Sequence, residues 1–224
     1  MKFSEKLHTT LQPIWRNNHN HPFVVEMGKG SLDKEKFRFF MVQDYLYLIE
    51  YAKLFAIGAT KSQDVKTMGQ FAKLLDATMN EEMALHRQYA ERFGISAKEL
   101  EEASPSPVTL AYTHYMLHVG QSGSVSELVA ALLPCTWSYR EIGRELAAIP
   151  GAADHPLYGE WIRMYSSEEF GQTAQWCIDL LDELTAGKPE NELVKLEEIF
   201  LTTTRFEYLF WDMAYHKTMW PVSE

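Results

Sequence analysis

Ser124-Val125-Ser126-Glu127 leads directly into Leu128-Val129-Ala130-Ala131-Leu132-Leu133-Pro134-Cys135-Thr136-Trp137-Ser138-Tyr139, and the run reads as one amphipathic helix with a marked start. A serine followed three residues later by a glutamate is a capping box, in which the two side chains bind backbone N–H groups that a first helical turn leaves unpaired. Beyond it Leu128, Ala131, Leu132, Cys135, Tyr139, Ile142 and Leu146 recur near 3.6 residues, so Cys135 lies on the buried face with Tyr139. Pro134 cannot donate its N–H and crowds the carbonyl four residues back, which predicts a kink or local opening beside the cysteine. Taken alone, Cys135 is better explained as a buried structural thiol than as a reactive one.

The same pattern extends outward in both directions. Toward the N-terminus, Ser4 is positioned to cap a helix carrying Phe3, Leu7, Leu11 and Trp15. Asn17 to His21, followed by Pro22, reads as a linker with solvated histidines. Asp33 opens a long helix to about Thr60, and Asp64 opens another through Met68, Phe71, Ala72, Leu75, Met79, Leu85, Tyr89 and Phe93, closed by Gly94. A short helix follows Ser96, and Pro107 suits the first position of the next. Toward the C-terminus, Ser166 to Glu169 reads as a second capping box, opening a helix with Phe170, Ala174, Cys177, Ile178, Leu181 and Leu184. The last stripe runs Leu193, Leu196, Phe200, Thr203, Glu207, Phe210, Trp211 and Ala214. No stretch alternates as a strand would, so the expectation is an all-α chain of about eight helices, one domain over residues 1–224.

Composition narrows the function. Against 21 Lys and Arg stand 31 Asp and Glu, a net charge of −10 that repels nucleic acid and anionic membrane surfaces. No apolar run approaches the ~20 residues of a membrane span, and the start has no apolar core of a leader peptide. Cys135 and Cys177 have no metal-type spacing, and no cofactor is expected; a reducing cytoplasm fits. Cys177 reads as filler.

Three polar residues interrupt otherwise apolar helix faces. Asp44 shares a face with Phe40, Tyr47, Tyr51 and Phe55, where a carboxylate needs a partner or a purpose. Glu207 lies inside the last apolar stripe, where burial favours its neutral form and suits it to give and take a proton. Cys135 is the third. With Tyr47, Tyr112, Tyr139 and Tyr165 on comparable faces, the set suits covalent addition to an electron-poor, flat heteroaromatic ring. Glu82 and His86, four apart, read either as a satisfied intrahelical pair or as ligands of a di-iron site, which would make the chain a helical oxidase. A non-catalytic binding protein is the third reading.

The chain resembles the TenA (thiaminase II) family, which has the heme-oxygenase-like fold. The likeness is carried, in order, by His21-Pro22-Phe23-Val24, Val42-Gln43-Asp44 with Tyr47, Glu82-Met83-Ala84-Leu85-His86, Pro105-Ser106-Pro107, Ala130 to Cys135 with Trp137 and Tyr139, Trp161-Ile162 with Tyr165, and Phe206-Glu207-Tyr208 with Phe210-Trp211. The resemblance implies a homotetramer that hydrolyses an aminomethyl-pyrimidine breakdown product of thiamin, and thiamin itself less efficiently, giving the hydroxymethylpyrimidine of thiamin salvage. It also implies Cys135 as nucleophile, Glu207 as proton donor and acceptor, and Asp44 on the aminopyrimidine edge, with Tyr47, Tyr112, Tyr139, Tyr165 and Phe210 shaping the pocket. Cys135 is similar to the cysteine of the cysteine-bearing branch. No metal is implied.

Overall fold

The computed structural model describes residues 2–222, apart from the side chains of Glu81 and Leu85, so the expected inward place of Leu85 lies outside the described residues. Every regular element among them is helical: α1 (Phe3–Thr10), α2 (Gln12–His19), α3 (Pro22–Gly28), α4 (Lys34–Lys61), α5 (Val65–Ala77), α6 (Met83–Arg92), α7 (Ala97–Glu102), α8 (Pro107–Ser122), α9 (Val125–Ala147), α10 (Gly159–Ser166), α11 (Glu168–Thr185) and α12 (Glu190–His216). A π-helical turn, Thr78–Glu82, joins α5 to α6, and a 3-10 turn, Ala152–Asp154, precedes α10. No described helix is long and apolar enough to cross a membrane.

Local chemistry sets most of the helix ends. Asp33 accepts from the backbone N–H groups of Glu35 and Lys36 at 2.8 and 3.2 Å, Asp64 from Thr67 at 2.8 Å, and Ser106 from Thr109 at 3.1 Å. Glu127 accepts from the backbone N–H of Ser124 at 2.7 Å and donates its own backbone N–H to Ser124 Oγ at 3.4 Å, the two halves of the expected capping box. Gly94 and Gly187, at φ of 73° and 74°, take the left-handed conformation that stops a helix without a Cβ clash.

The departures from expectation have tertiary or steric causes. The first predicted helix is two, because Pro13 near the start of α2 has no N–H to continue α1. Ser4 does not cap α1; its N–H and hydroxyl both donate to Asp182 of α11, at 2.9 and 2.8 Å. His21 is not a solvated linker residue: it is 2% exposed, and its Nδ1 accepts from the Phe23 N–H at 3.1 Å, capping α3. Ser167, not Ser166, caps α11, accepting from Phe170 at 3.2 Å. The helix predicted from Asp64 to Phe93 is interrupted by the π-turn. α9 does not open at Pro134: it stays helical from Val125 to Ala147, with Leu128 to Leu133 fully buried, so packing on every side compensates one missing hydrogen bond.

The chain forms two compact units, Met1–Leu32 with Val129–Asp212, and Asp33–Leu128 with Met213–Glu224. In the first, Trp15 of α2 stacks on Phe200 of α12 at 6.0 Å and meets Trp137 of α9 edge-on at 5.6 Å. In the second, α5 lies close on α4 because Gly58 has no side chain; a Cβ there would meet the Phe71 ring at 2.8 Å.

Candidate active site

Within the first unit, Cys135 is half-buried on α9, and Tyr139, one turn on, is the hub of an aromatic cluster. Its ring lies 4.9 Å from Tyr165 and 5.7 Å from Trp161, both of α10, and stacks at 5.1 Å on Trp211 of α12. Glu207 is one turn before Trp211 and 2% exposed; Phe210 is equally buried. Gly143 makes the approach of α10 possible, since a Cβ there would stand 2.6 Å from the carbonyl carbon of Tyr165 and 2.8 Å from the next backbone nitrogen. The unit thus gathers Tyr139 and Tyr165 of the predicted residues. It adds Trp161, Trp211 and Gly143, which the sequence reading did not place in the site. The signal for the two tryptophans was spacing: each stands four residues from a predicted site residue, Tyr165 or Glu207, on the same helix.

Two other residues of this unit have structural surroundings. Cys177 of α11 is 1% exposed, and burial pushes its thiol up to about 12, so it stays protonated and inert, as filler should. Trp137, two residues beyond Cys135, donates through Nε1 to Glu141 at 2.8 Å, and Trp15 donates to the same carboxylate at 2.7 Å. Burial raises the Glu141 carboxyl, but the hydrogen bonds from His8, Trp15 and Trp137 outweigh it and hold the group below its ordinary value.

In the second unit, Asp44 is 3% exposed on α4, with Tyr47 on the following turn. The Tyr47 ring lies 5.2 Å from Tyr112 of α8 and stacks on Tyr51 at 5.4 Å, while its hydroxyl reaches Met116 Sδ at 3.8 Å. The predicted group of Asp44, Tyr47 and Tyr112 is therefore held on two packed helices. What joins them is Gln43, whose Oε1 accepts from the Ser106 N–H at 2.8 Å and the Thr109 hydroxyl at 2.7 Å, while its Nε2 donates to the Ser104 carbonyl at 3.2 Å. A glutamine so fully bonded is a rivet between α4 and the start of α8.

Glu82 and His86 are not each other's partners. His86 Nε2 lies 2.8 Å from the Met41 carbonyl and Nδ1 lies 3.7 Å from Asp44 Oδ2, both on α4. Burial lowers His86 to about 4, and raises Glu82 to about 7 against an opposing hydrogen bond from Thr78. Among the described residues no group of three or more His, Cys, Asp or Glu side chains is placed to hold a metal ion.

Comparison with known proteins agrees with this anatomy. The model of the TENA/THI-4/PQQC family matches residues 8–217. An aminopyrimidine aminohydrolase of Halalkalibacterium halodurans is 59% identical over 98% of this chain and 98% of its own. The solved structure of a TenA homologue from P. horikoshii OT3 superposes with a TM-score of 0.89 at 28% identity, covering 97% of this chain and all of that one. At 16% identity, a heme oxygenase-like domain from Shewanella denitrificans still gives a TM-score of 0.76 over 95% of this chain and 92% of its own, which speaks for the fold alone. The chain, matched along nearly its whole length, belongs to the TENA/THI-4/PQQC family.

Proposed function

We propose that this chain is an aminopyrimidine aminohydrolase of thiamin salvage, hydrolysing 4-amino-5-aminomethyl-2-methylpyrimidine to the hydroxymethylpyrimidine and ammonia, with thiamin as a second, slower substrate. The observation that carries the activity is the 59% identity, end to end, to a relative of that name. Supporting the roles of the residues are a half-buried Cys135 beside the Tyr139 cluster, a buried Glu207 on α12 and a buried Asp44 on α4.

In this mechanism Asp44 binds the aminopyrimidine edge, while Tyr47, Tyr112, Tyr139, Tyr165 and Phe210 shape the pocket. The Cys135 thiolate adds to an electron-poor carbon of the ring-protonated pyrimidine. The electron pair of the resulting enamine-like ring expels ammonia from the exocyclic methylene, with Glu207 supplying the proton. Water then adds at the methylene and loses a proton, and the thiolate leaves as the ring regains its aromaticity. The assignment places the chain in the cysteine-bearing branch, as a cytoplasmic homotetramer with residues 1–224 acting as one domain.

Release of ammonia from aminomethyl-pyrimidine and of the thiazole from thiamin, followed on wild type and Cys135→Ser, tests it. Wild type should turn over the former faster, and the variant should lose about 10³-fold or more in kcat, as enzymes do when a nucleophile is removed. Near-wild-type turnover by Cys135→Ser would refute covalent catalysis through this residue, and no turnover of either substrate by wild type would refute the activity.

A further inference from the structure

His86 has no part in the mechanism above, yet its ring is 96% removed from solvent and meets α4 at two points of the turn that carries Asp44. Its Nε2 lies 2.8 Å from the Met41 carbonyl, and a carbonyl only accepts, so Nε2 holds the proton of the neutral ring. The other nitrogen, Nδ1, therefore presents a lone pair to Asp44 Oδ2 at 3.7 Å. Met41 and Asp44 are three residues apart, so one imidazole spans a single helical turn. Tyr45, on that turn, closes over the ring at 6.0 Å between centroids. The π-turn Thr78–Glu82 has a matching role. One extra residue in a turn rotates everything after it by about 100°, and His86 is on the first helical turn beyond.

We propose that His86 is a positioning residue for Asp44: with its Nε2–H committed to Met41, its Nδ1 fixes the orientation of the Asp44 carboxyl group that receives the aminopyrimidine. At 3.7 Å the contact is longer than a hydrogen bond, and it acts by filling the space beside a side chain that is 4% exposed, which excludes other rotamers. The consequence falls on substrate binding and not on bond breaking. This inference rests on the assignment of Asp44 to the aminopyrimidine edge.

Two substitutions separate the two ends of the ring. Gln reaches the Nε2 position and keeps the bond to Met41 while abandoning Asp44; Asn occupies the Nδ1 position and keeps the neighbour of Asp44 while abandoning Met41. Positioning predicts that His86→Gln raises KM for aminomethyl-pyrimidine about 10-fold with kcat within about 3-fold of wild type, and that His86→Asn restores most of the loss. It also predicts that His86→Gln adds nothing in an Asp44→Asn background, which itself has a raised KM. A purely structural clamp on Met41 predicts the reverse order of the two variants, and that order overturns the proposal. If Asp44→Asn raises KM and His86→Gln does not, the proposal falls and the role of Asp44 stands; if Asp44→Asn leaves KM unchanged, both fall. A measurement on wild type is independent of how the variants fold. In the nitrogen NMR spectrum of the histidines, saturating hydroxymethylpyrimidine should shift His86 Nδ1 and leave Nε2 protonated, and an unmoved Nδ1 also overturns the proposal.

Discussion

The two units hold their chemistry-bearing side chains by different means. In the first, Cys135 and Glu207 ride on α9 and α12, whose rings Tyr139 and Trp211 stack on each other, and α10 is fitted against Gly143 with no room for a methyl group. In the second, Asp44 and Tyr47 stand on a stretch of α4 gripped by polar groups, Gln43 toward α8 and His86 from α6. Ring stacking is non-directional about charge but unforgiving of volume, whereas buried hydrogen bonds tolerate little change in protonation. The first unit should therefore be sensitive to the size of its residues, and the second to pH.

The largest effect expected is on the chemistry assigned to the first unit. Glu207→Gln keeps the shape of a 2%-exposed side chain and removes the proton transfer proposed for it. A general acid and base contributes about 10²- to 10⁴-fold, so kcat for amine release should fall by at least about 10²-fold while KM changes little. A raised KM at unchanged kcat would put Glu207 with the binding residues and erase the contrast between the units.

The same contrast explains what could be read from the sequence. The caps at Asp33, Asp64 and Ser124, and the stop at Gly94, depend on neighbours within a few residues, so they are legible in the sequence. Ser4 was misassigned because its partner, Asp182, is 178 positions away, and His21 because a cap residue and a linker histidine look alike until burial is known. The inward faces of Asp44 and Glu207 followed from periodicity, and both residues are buried. Gly143 is illegible, since a glycine within a helix shows nothing of the backbone of Tyr165, 22 residues further on, that arrives against it. The contacts of His86 are hidden for a related reason: its spacing to Glu82 points back along its own segment, while Met41 and Asp44 lie across on α4.

Gly143→Ala probes the volume sensitivity of the first unit. The added methyl would meet backbone atoms of Tyr165 and Ser166 at 2.6 to 2.8 Å, and backbone cannot rotate away as a side-chain end can. Overpacking of this kind costs about 2 kcal/mol, visible as a lowered urea midpoint with an unchanged slope. Because α10 would be displaced, the near-UV circular dichroism of the Tyr139, Trp161 and Tyr165 cluster should change as well. An unchanged midpoint and spectrum would show that the first unit yields to volume as readily as any surface contact.

The smallest effect, and the one specific to the second unit, is on the pH dependence of stability. Burial holds folded Glu82 near pH 7 against an ordinary 4.5, so between those values the native state keeps a proton that the unfolded chain has released, and stability falls as pH rises through the window. His86, lowered to about 4 from 6.5, does the opposite: the unfolded chain binds the extra proton, and stability rises with pH up to about 6.5. From about 4.5 to 6.5 the two slopes cancel, and above that only the loss from Glu82 remains. Glu82→Gln removes the falling slope and keeps a side chain that can still accept from Thr78. Its gain over wild type should be near zero at pH 4.5 and reach about 1–2 kcal/mol by pH 8, a value reduced from the full linkage because the residue retains an exposed edge that water screens. Urea melts of both proteins at these two pH values measure the difference. An equal offset at both would mean that Glu82 titrates as an ordinary surface glutamate, and the polar grip on α4 would then have no pH signature beyond that of His86.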